Sequence, residues 1–127
     1  MSENLVDSCG WLEYFADDSN ADFFAPAIED TENLVVPSLC LTEVFKKLLR
    51  ERDEGIAWSA ISAMRKGNIV DLDADIALEA AKIGVIYELP LADSIIYATA
   101  KKRNAMIWTQ DKHFAKLSDV KYTSKNK

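Results

Sequence analysis

The sequence predicts an α/β domain in which helices cover both faces of a parallel sheet. Four short segments, Asn4–Val6, Leu34–Val36, Asn68–Leu72 and Ala105–Trp108, are largely apolar without strict alternation, the pattern of strands buried on both faces. Helix-period segments separate them, as parallel neighbours require. The length, 127 residues, suits one domain with a full core. Right-handed crossovers are expected between the strands.

Asn4-Leu5-Val6 ends at Asp7, and a helix follows with Trp11, Leu12, Tyr14 and Phe15 on its apolar side. Asp18-Ser19-Asn20 breaks it and offers a cap for a second helix carrying Phe23, Phe24 and Ile28. Pro37-Ser38 stops the second strand and opens a long helix whose core side is marked by Val44, Leu48 and Leu49. A further helix runs from Gly55 to Lys66 and is ended by Gly67. After the third strand, Asp73 or Asp75 caps a helix through Tyr87, with Ile76, Ala80, Ile83 and Ile86 inward. Pro90 separates it from the next helix, which carries Ile95, Ile96 and Ala100. Thr109-Gln110-Asp111 follows the fourth strand and leads into a short helix through Phe114 and Leu117, and Val120-Lys121-Tyr122 reads as a final edge strand. No repeat or linker divides the chain, so residues 1–127 form one domain, with 123–127 expected as a flexible basic tail. Spacing does not set the strand order. First and fourth strands side by side would bring Asp7 and Asp111 to one crevice, and that order is expected.

Hydrophobic content of 49% and charged content of 28% are those of an ordinary globular protein. The polar start and the lack of any run of about 20 apolar residues give no signal peptide or membrane span, so the expected location is cytoplasmic. Cys9 and Cys40 belong to no C-x-x-C pair and lie in apolar company, which reads as two reduced thiols. A net charge of −6 argues against a protein that coats nucleic acid generally. Basic residues are nonetheless clustered at Lys46, Lys47, Arg50 and Arg52, and again at Lys101, Lys102 and Arg103. Either cluster reads as a solvated helix face or as a local guide for a phosphate backbone.

Asp7, Glu43, Asp93 and Asp111 each fall at the C-terminal end of an expected strand or in the first turns of a helix. Those places converge on one crevice in an open α/β sheet. Singly, each has an ordinary reading: Asp7, Asp93 and Asp111 as helix caps or first-turn charges, Glu43 as a solvated helix residue. Jointly they repel. At about 6 Å and an effective dielectric of about 20, each pair costs roughly 3 kcal/mol. A hard divalent cation with oxygen ligands would remove that penalty. Glu29, Asp30, Glu51 and Glu79 fall on helix surfaces or at opposite ends and lack this convergence.

Leu5-Val6-Asp7-Ser8, Leu41-Thr42-Glu43-Val44, the stretch from Leu89-Pro90-Leu91-Ala92-Asp93 through Ala100, and Trp108-Thr109-Gln110-Asp111-Lys112-His113-Phe114 resemble, in order and spacing, the four motifs of the PIN-domain ribonucleases. The nearest look is to the VapC-type toxins of toxin–antitoxin pairs. The resemblance runs from Leu5 to about Tyr122, and the third motif is its most specific part. It implies a three-layer α/β/α sandwich around a parallel sheet of four to five strands, one or two Mg²⁺ or Mn²⁺ ions, and hydrolysis of RNA phosphodiesters. By the same resemblance, Asp7, Glu43, Asp93 and Asp111 are the catalytic and metal-binding quartet, Ser8 and Thr109 are supporting hydroxyls, and an antitoxin and a second copy of the chain are partners. Cys9, where a small hydroxyl residue is common, and the bulky Trp108 depart from the pattern without touching an acid.

Other readings fare less well. A receiver domain needs an acidic pair after the first strand, and Ser8 follows Asp7; haloacid-type phosphatases need Asp-x-Asp, and position 9 is cysteine. No Gly-rich nucleotide loop is present. His113 invites a general-base role, but a lone histidine just inside a surface helix is expected to face solvent. Trp11, Trp58 and Trp108 are expected in the core rather than as base-stacking platforms. The remaining alternative is a PIN-like module that binds RNA or a partner and cleaves nothing.

Overall fold

A computed structural model describes residues 3–125; the last two residues of the expected tail lie outside the described residues. In chain order the elements are β1 (Glu3–Val6), α1 (Ser8–Phe15), α2 (Ala21–Glu29), β2 (Leu34–Pro37), α3 (Ser38–Glu51), α4 (Glu54–Met64), β3 (Asn68–Val70), α5 (Ala74–Tyr87), α6 (Leu91–Arg103), β4 (Ala105–Thr109) and β5 (Val120–Tyr122). The strands form one parallel sheet in the order β3-β2-β1-β4-β5. First and fourth strands are therefore neighbours, as expected. Leu5, Val6, Leu34, Val35, Val36 and Ile107 are fully buried, which explains why these strands show no polar alternation. Helix α2 packs on β1 and β4, α1 on α2 and α3, and α3 on α4, while α5 pairs with α6, which lies against β2 and β4. With right-handed crossovers this is a three-layer sandwich, α1–α4 over one face and α5–α6 over the other.

Several local expectations are corrected. Leu49 and Ile86 are exposed at 42% and 68%, not in the core. The buried stripe of α3 is Cys40, Val44 and Leu48, and that of α5 is Ile76, Ala80 and Ile83. At about 100° per residue, Leu49 and Ile86 fall beyond the edges of those stripes. Gly67 does not end α4 in a left-handed conformation: among the described residues no glycine has positive φ. Its missing side chain instead lets the chain pass β2, because a Cβ there would stand 3.0 Å from Val36 Cγ2 and 3.1 Å from the Leu34 carbonyl oxygen. Asn20 does not cap α2 with its side chain; its Nδ2 donates to Gln110 Oε1 at 2.9 Å and to the Ser124 carbonyl oxygen at 3.1 Å. The described part of the expected flexible tail is thereby tied down, since Thr123 N also donates to the Thr109 carbonyl oxygen and Lys125 Nζ reaches Glu13 and Asp18.

One glycine bears directly on the site. A Cβ on Gly84 in α5 would stand 2.9 Å from Ser94 Oγ in α6. Ser94 Oγ itself donates to the carbonyls of Pro90 and Leu89, and Glu88 takes a left-handed conformation, φ 55°, to turn the chain between the helices. This close approach holds the first turn of α6, which carries Asp93.

Candidate active site

The sheet register assembles the first half of the site. Val6 is in register with Trp108, so Asp7 and Thr109 leave adjacent strands side by side. Asp7 N donates to the Trp108 carbonyl oxygen at 3.1 Å. The Asp7 carboxylate accepts from Ser8 N at 2.7 Å, from Thr109 Oγ1 at 2.9 Å and from Cys9 Sγ at 3.4 Å. Asp7 thus caps α1 and occupies the crevice at once. Thr109 Oγ1 also accepts from Asp111 N at 2.9 Å, linking the first acid to the fourth. Ser8 Oγ donates to Glu43 Oε1 at 2.5 Å, which brings in α3. Both supporting hydroxyls therefore bond directly to acids of the quartet or their backbone.

The second half is made by helix packing. Asp93 sits in the first turn of α6, nine-tenths buried. Asp111 caps the 3₁₀ turn Lys112–Phe114 through His113 N, at 2.9 Å. Between them lies the imidazole expected in solvent: His113 Nδ1 is 2.8 Å from Asp93 Oδ2 and 3.1 Å from Asp111 Oδ1, although 56% of the side chain is exposed. The only sign of this in the sequence is its position two residues after Asp111.

Burial and mutual repulsion act on these acids together. Burial pushes Asp7 up to about 6, against hydrogen bonds from Thr109, Cys9 and Ser8, and the charge of Asp111 adds to the rise. Burial likewise raises Asp93 to about 6, with the charges of Asp111 and Asp7 contributing. His113 is raised by its hydrogen bond to Asp93 and by the charge of Asp111. The repulsion inferred from the acid pattern is thus present. A group of carboxylate oxygens resisting ionisation in one crevice fits a divalent cation, which would favour their charged forms.

A groove of about 610 Å³ runs from this crevice between α1 and α3, past Ser8, Glu43, Lys47 and Arg52. On its wall is a residue that sequence reasoning missed. Glu13, 4% exposed, accepts from Asn20 N at 2.9 Å, Gln110 Nε2 at 3.1 Å and Lys125 Nζ at 2.5 Å. Burial pushes the Glu13 carboxyl up, but the hydrogen bonds from Lys125, Asn20 N and Gln110 together with the lysine charge outweigh it and hold the group below its ordinary range. Of the basic clusters, Lys101, Lys102 and Arg103 meet Asp119, Asp73 and Glu3, which favours the solvated-face reading there. Trp11 is buried, but Trp58 is 53% exposed with its ring 4.7 Å from that of Phe45, so it is not a core tryptophan.

Residues 5–120 match the family model of the PIN domain, and the chain belongs to that family. Solved structures with the same fold include a toxin–antitoxin complex from Klebsiella pneumoniae, 24% identical, covering 94% of this chain and 96% of that one with a TM-score of 0.79. The VapC20 toxin of Mycobacterium tuberculosis, which cleaves the sarcin-ricin loop, is 18% identical with coverages of 91% and 95% and a TM-score of 0.76. VapBC2 of Rickettsia felis bound to promoter DNA is 13% identical, with coverages of 95% and 97% and a TM-score of 0.73. No curated protein matches the chain significantly in sequence.

Proposed function

We propose that this protein is a metal-dependent endoribonuclease and the toxin of a toxin–antitoxin pair. The observation that carries the reading is the convergence of Asp7, Asp93 and Asp111, two of them pushed to about 6, on one crevice of a PIN domain. Asp7 and Asp93 would hold the main Mg²⁺ or Mn²⁺; Asp111 and Glu43 would complete the site or orient the attacking water. The chemistry supplied by the bound cation is a lowered water pKa and neutralisation of charge on the phosphoryl oxygens. Thr109 and Ser8 fix the carboxylate rotamers of Asp7 and Glu43, so the site is held before substrate arrives.

A small antitoxin with basic residues would match the acidic crevice. A homodimer is supported by apolar side chains left uncovered on α5 and at the start of α6, with Leu78, Val85 and Leu91 exposed at 69%, 81% and 78%. Val85→Lys is expected to yield a monomer by light scattering. Among the described residues no single helix is long and apolar enough to cross a membrane, and the reading places the protein in the cytoplasm with its RNA.

The test is incubation with defined RNAs in Mg²⁺, Mn²⁺ or EDTA beside Asp93→Asn. Cleavage that needs the ion and the aspartate supports the reading. Chelator-resistant cleavage counts against it, and RNA binding without cleavage would favour the non-catalytic module.

A further inference from the structure

The acidic quartet leaves one donor at the crevice unassigned. His113 Nδ1 stands 2.8 Å from Asp93 Oδ2 and 3.1 Å from Asp111 Oδ1, and the donor atoms of the three residues all lie within 4.8 Å of one another. Two cis ligands on an octahedral divalent ion with bonds of about 2.1 Å stand about 3.0 Å apart. Both separations have that size.

The backbone that carries the imidazole is held on both sides. The His113 backbone N–H donates to Asp111 Oδ1, and the next residue, Phe114, is fully buried with its ring 6.4 Å from that of Tyr97. With the proton on Nε2, the Nδ1 lone pair is free to coordinate. A nitrogen donor also changes which ion the site prefers. Mg²⁺ favours oxygen ligands, whereas imidazole suits the later divalent ions.

We infer that His113 is a direct nitrogen ligand of the bound metal, beside Asp93 and Asp111, and biases the site toward Mn²⁺ over Mg²⁺. This rests on the metal-dependent reading above. The competing arrangement keeps His113 as a hydrogen-bonded neighbour of the two carboxylates, never touching the ion.

His113 is the only histidine of the chain, so an imidazole signal from untagged protein has one source. Pulsed EPR of the Mn²⁺-loaded wild type is expected to show ¹⁴N coupling, changing to ¹⁵N on histidine labelling and absent from His113→Ala. By calorimetry, His113→Ala is expected to bind Mn²⁺ about 10-fold more weakly. Its Mg²⁺ affinity is expected to change by less than about threefold, because imidazole is a poor donor to that ion. Mn²⁺-loaded wild type without nitrogen coupling overturns the inference and needs no variant to fold. An unchanged or tighter Mn²⁺ affinity in folded His113→Ala does the same. Asp93→Asn separates the two levels. If that variant loses Mn²⁺ while the wild type binds it without nitrogen coupling, the metal reading stands and the histidine ligand falls. If the wild type binds neither ion, both fall.

Discussion

Asp7 and Asp93 are both buried acids raised to about 6, yet they are held in opposite ways. Asp7 is fixed by backbone: strand register sets it beside Thr109, and its carboxylate accepts from Ser8 N, Thr109 Oγ1 and Cys9 Sγ. Asp93 stands on a helix turn held by the contact of Gly84 with Ser94, and among the described residues its one side-chain partner is His113. One acid is satisfied by the fold itself; the other waits for a positive charge.

Substitution at the two positions should therefore agree in activity and part in stability. Asp7→Asn and Asp93→Asn are each expected to lower cleavage by on the order of 10²–10³-fold, the size of losing one electrostatic contributor to a phosphoryl-transfer site. Equal losses with a smaller gain in stability for Asp7→Asn would sharpen the contrast; wild-type rates in either variant would break it. Asp7→Asn removes the buried charge that the raised pKa marks but also loses acceptance from one of the donors now bonded to the carboxylate, so at neutral pH it is expected to melt lower than Asp93→Asn.

Metal-free Asp93→Asn is expected to melt higher than wild type, and the gain has a defined pH dependence. A carboxyl whose folded pKa lies above its unfolded value makes the folded state bind more protons. Stability then falls as pH rises from about 4 to about 6 and is flat above that. The advantage of Asp93→Asn should be absent below pH 4, on the order of 2 kcal/mol above pH 6, and abolished or reversed by Mn²⁺. Thermal scans in EDTA across that range would reveal it. A constant difference across the range would mean that the gain is not electrostatic.

Gly84→Ala presses a methyl group against Ser94 Oγ and is expected to cost about 1–3 kcal/mol in denaturant unfolding. It should also lower cleavage, because the turn carrying Asp93 must shift. Loss of stability with full activity would show that Asp93 is not placed by this helix contact. The smallest effect belongs to Ser8→Ala. Removing the donor to Glu43 Oε1 is expected to cost about 1 kcal/mol, with Asp7 retaining all its hydrogen bonds because the one from residue 8 comes from the backbone N–H.

The legibility of the site follows the same divide. Asp7, Asp93 and Asp111 were readable because strand ends and helix starts carry turn and cap signals that locate an acid in the chain. Glu13 was not. It sits mid-helix among Trp11, Leu12, Tyr14 and Phe15, where an acid reads as solvated, and its partners Gln110 and Lys125 are about a hundred residues away. His113 was half legible: it is 56% exposed, as a surface turn predicts, but its Nδ1 meets Asp93, twenty residues back in the chain, a contact no local signal encodes. Leu49 and Ile86 went wrong at the margins of their helices, where an apolar residue one step past the stripe has no neighbour to cover it.

Read alone, the order of residues determined the parallel sheet and the four acids at its rim, because continuous apolar strands admit few other arrangements and short-range caps mark where each acid leaves its element. Tertiary structure alone decided that β1 lies beside β4, that Glu13 meets the end of the chain, and that His113 enters the crevice. Those contacts join residues far apart in sequence through packing. No local preference encodes them.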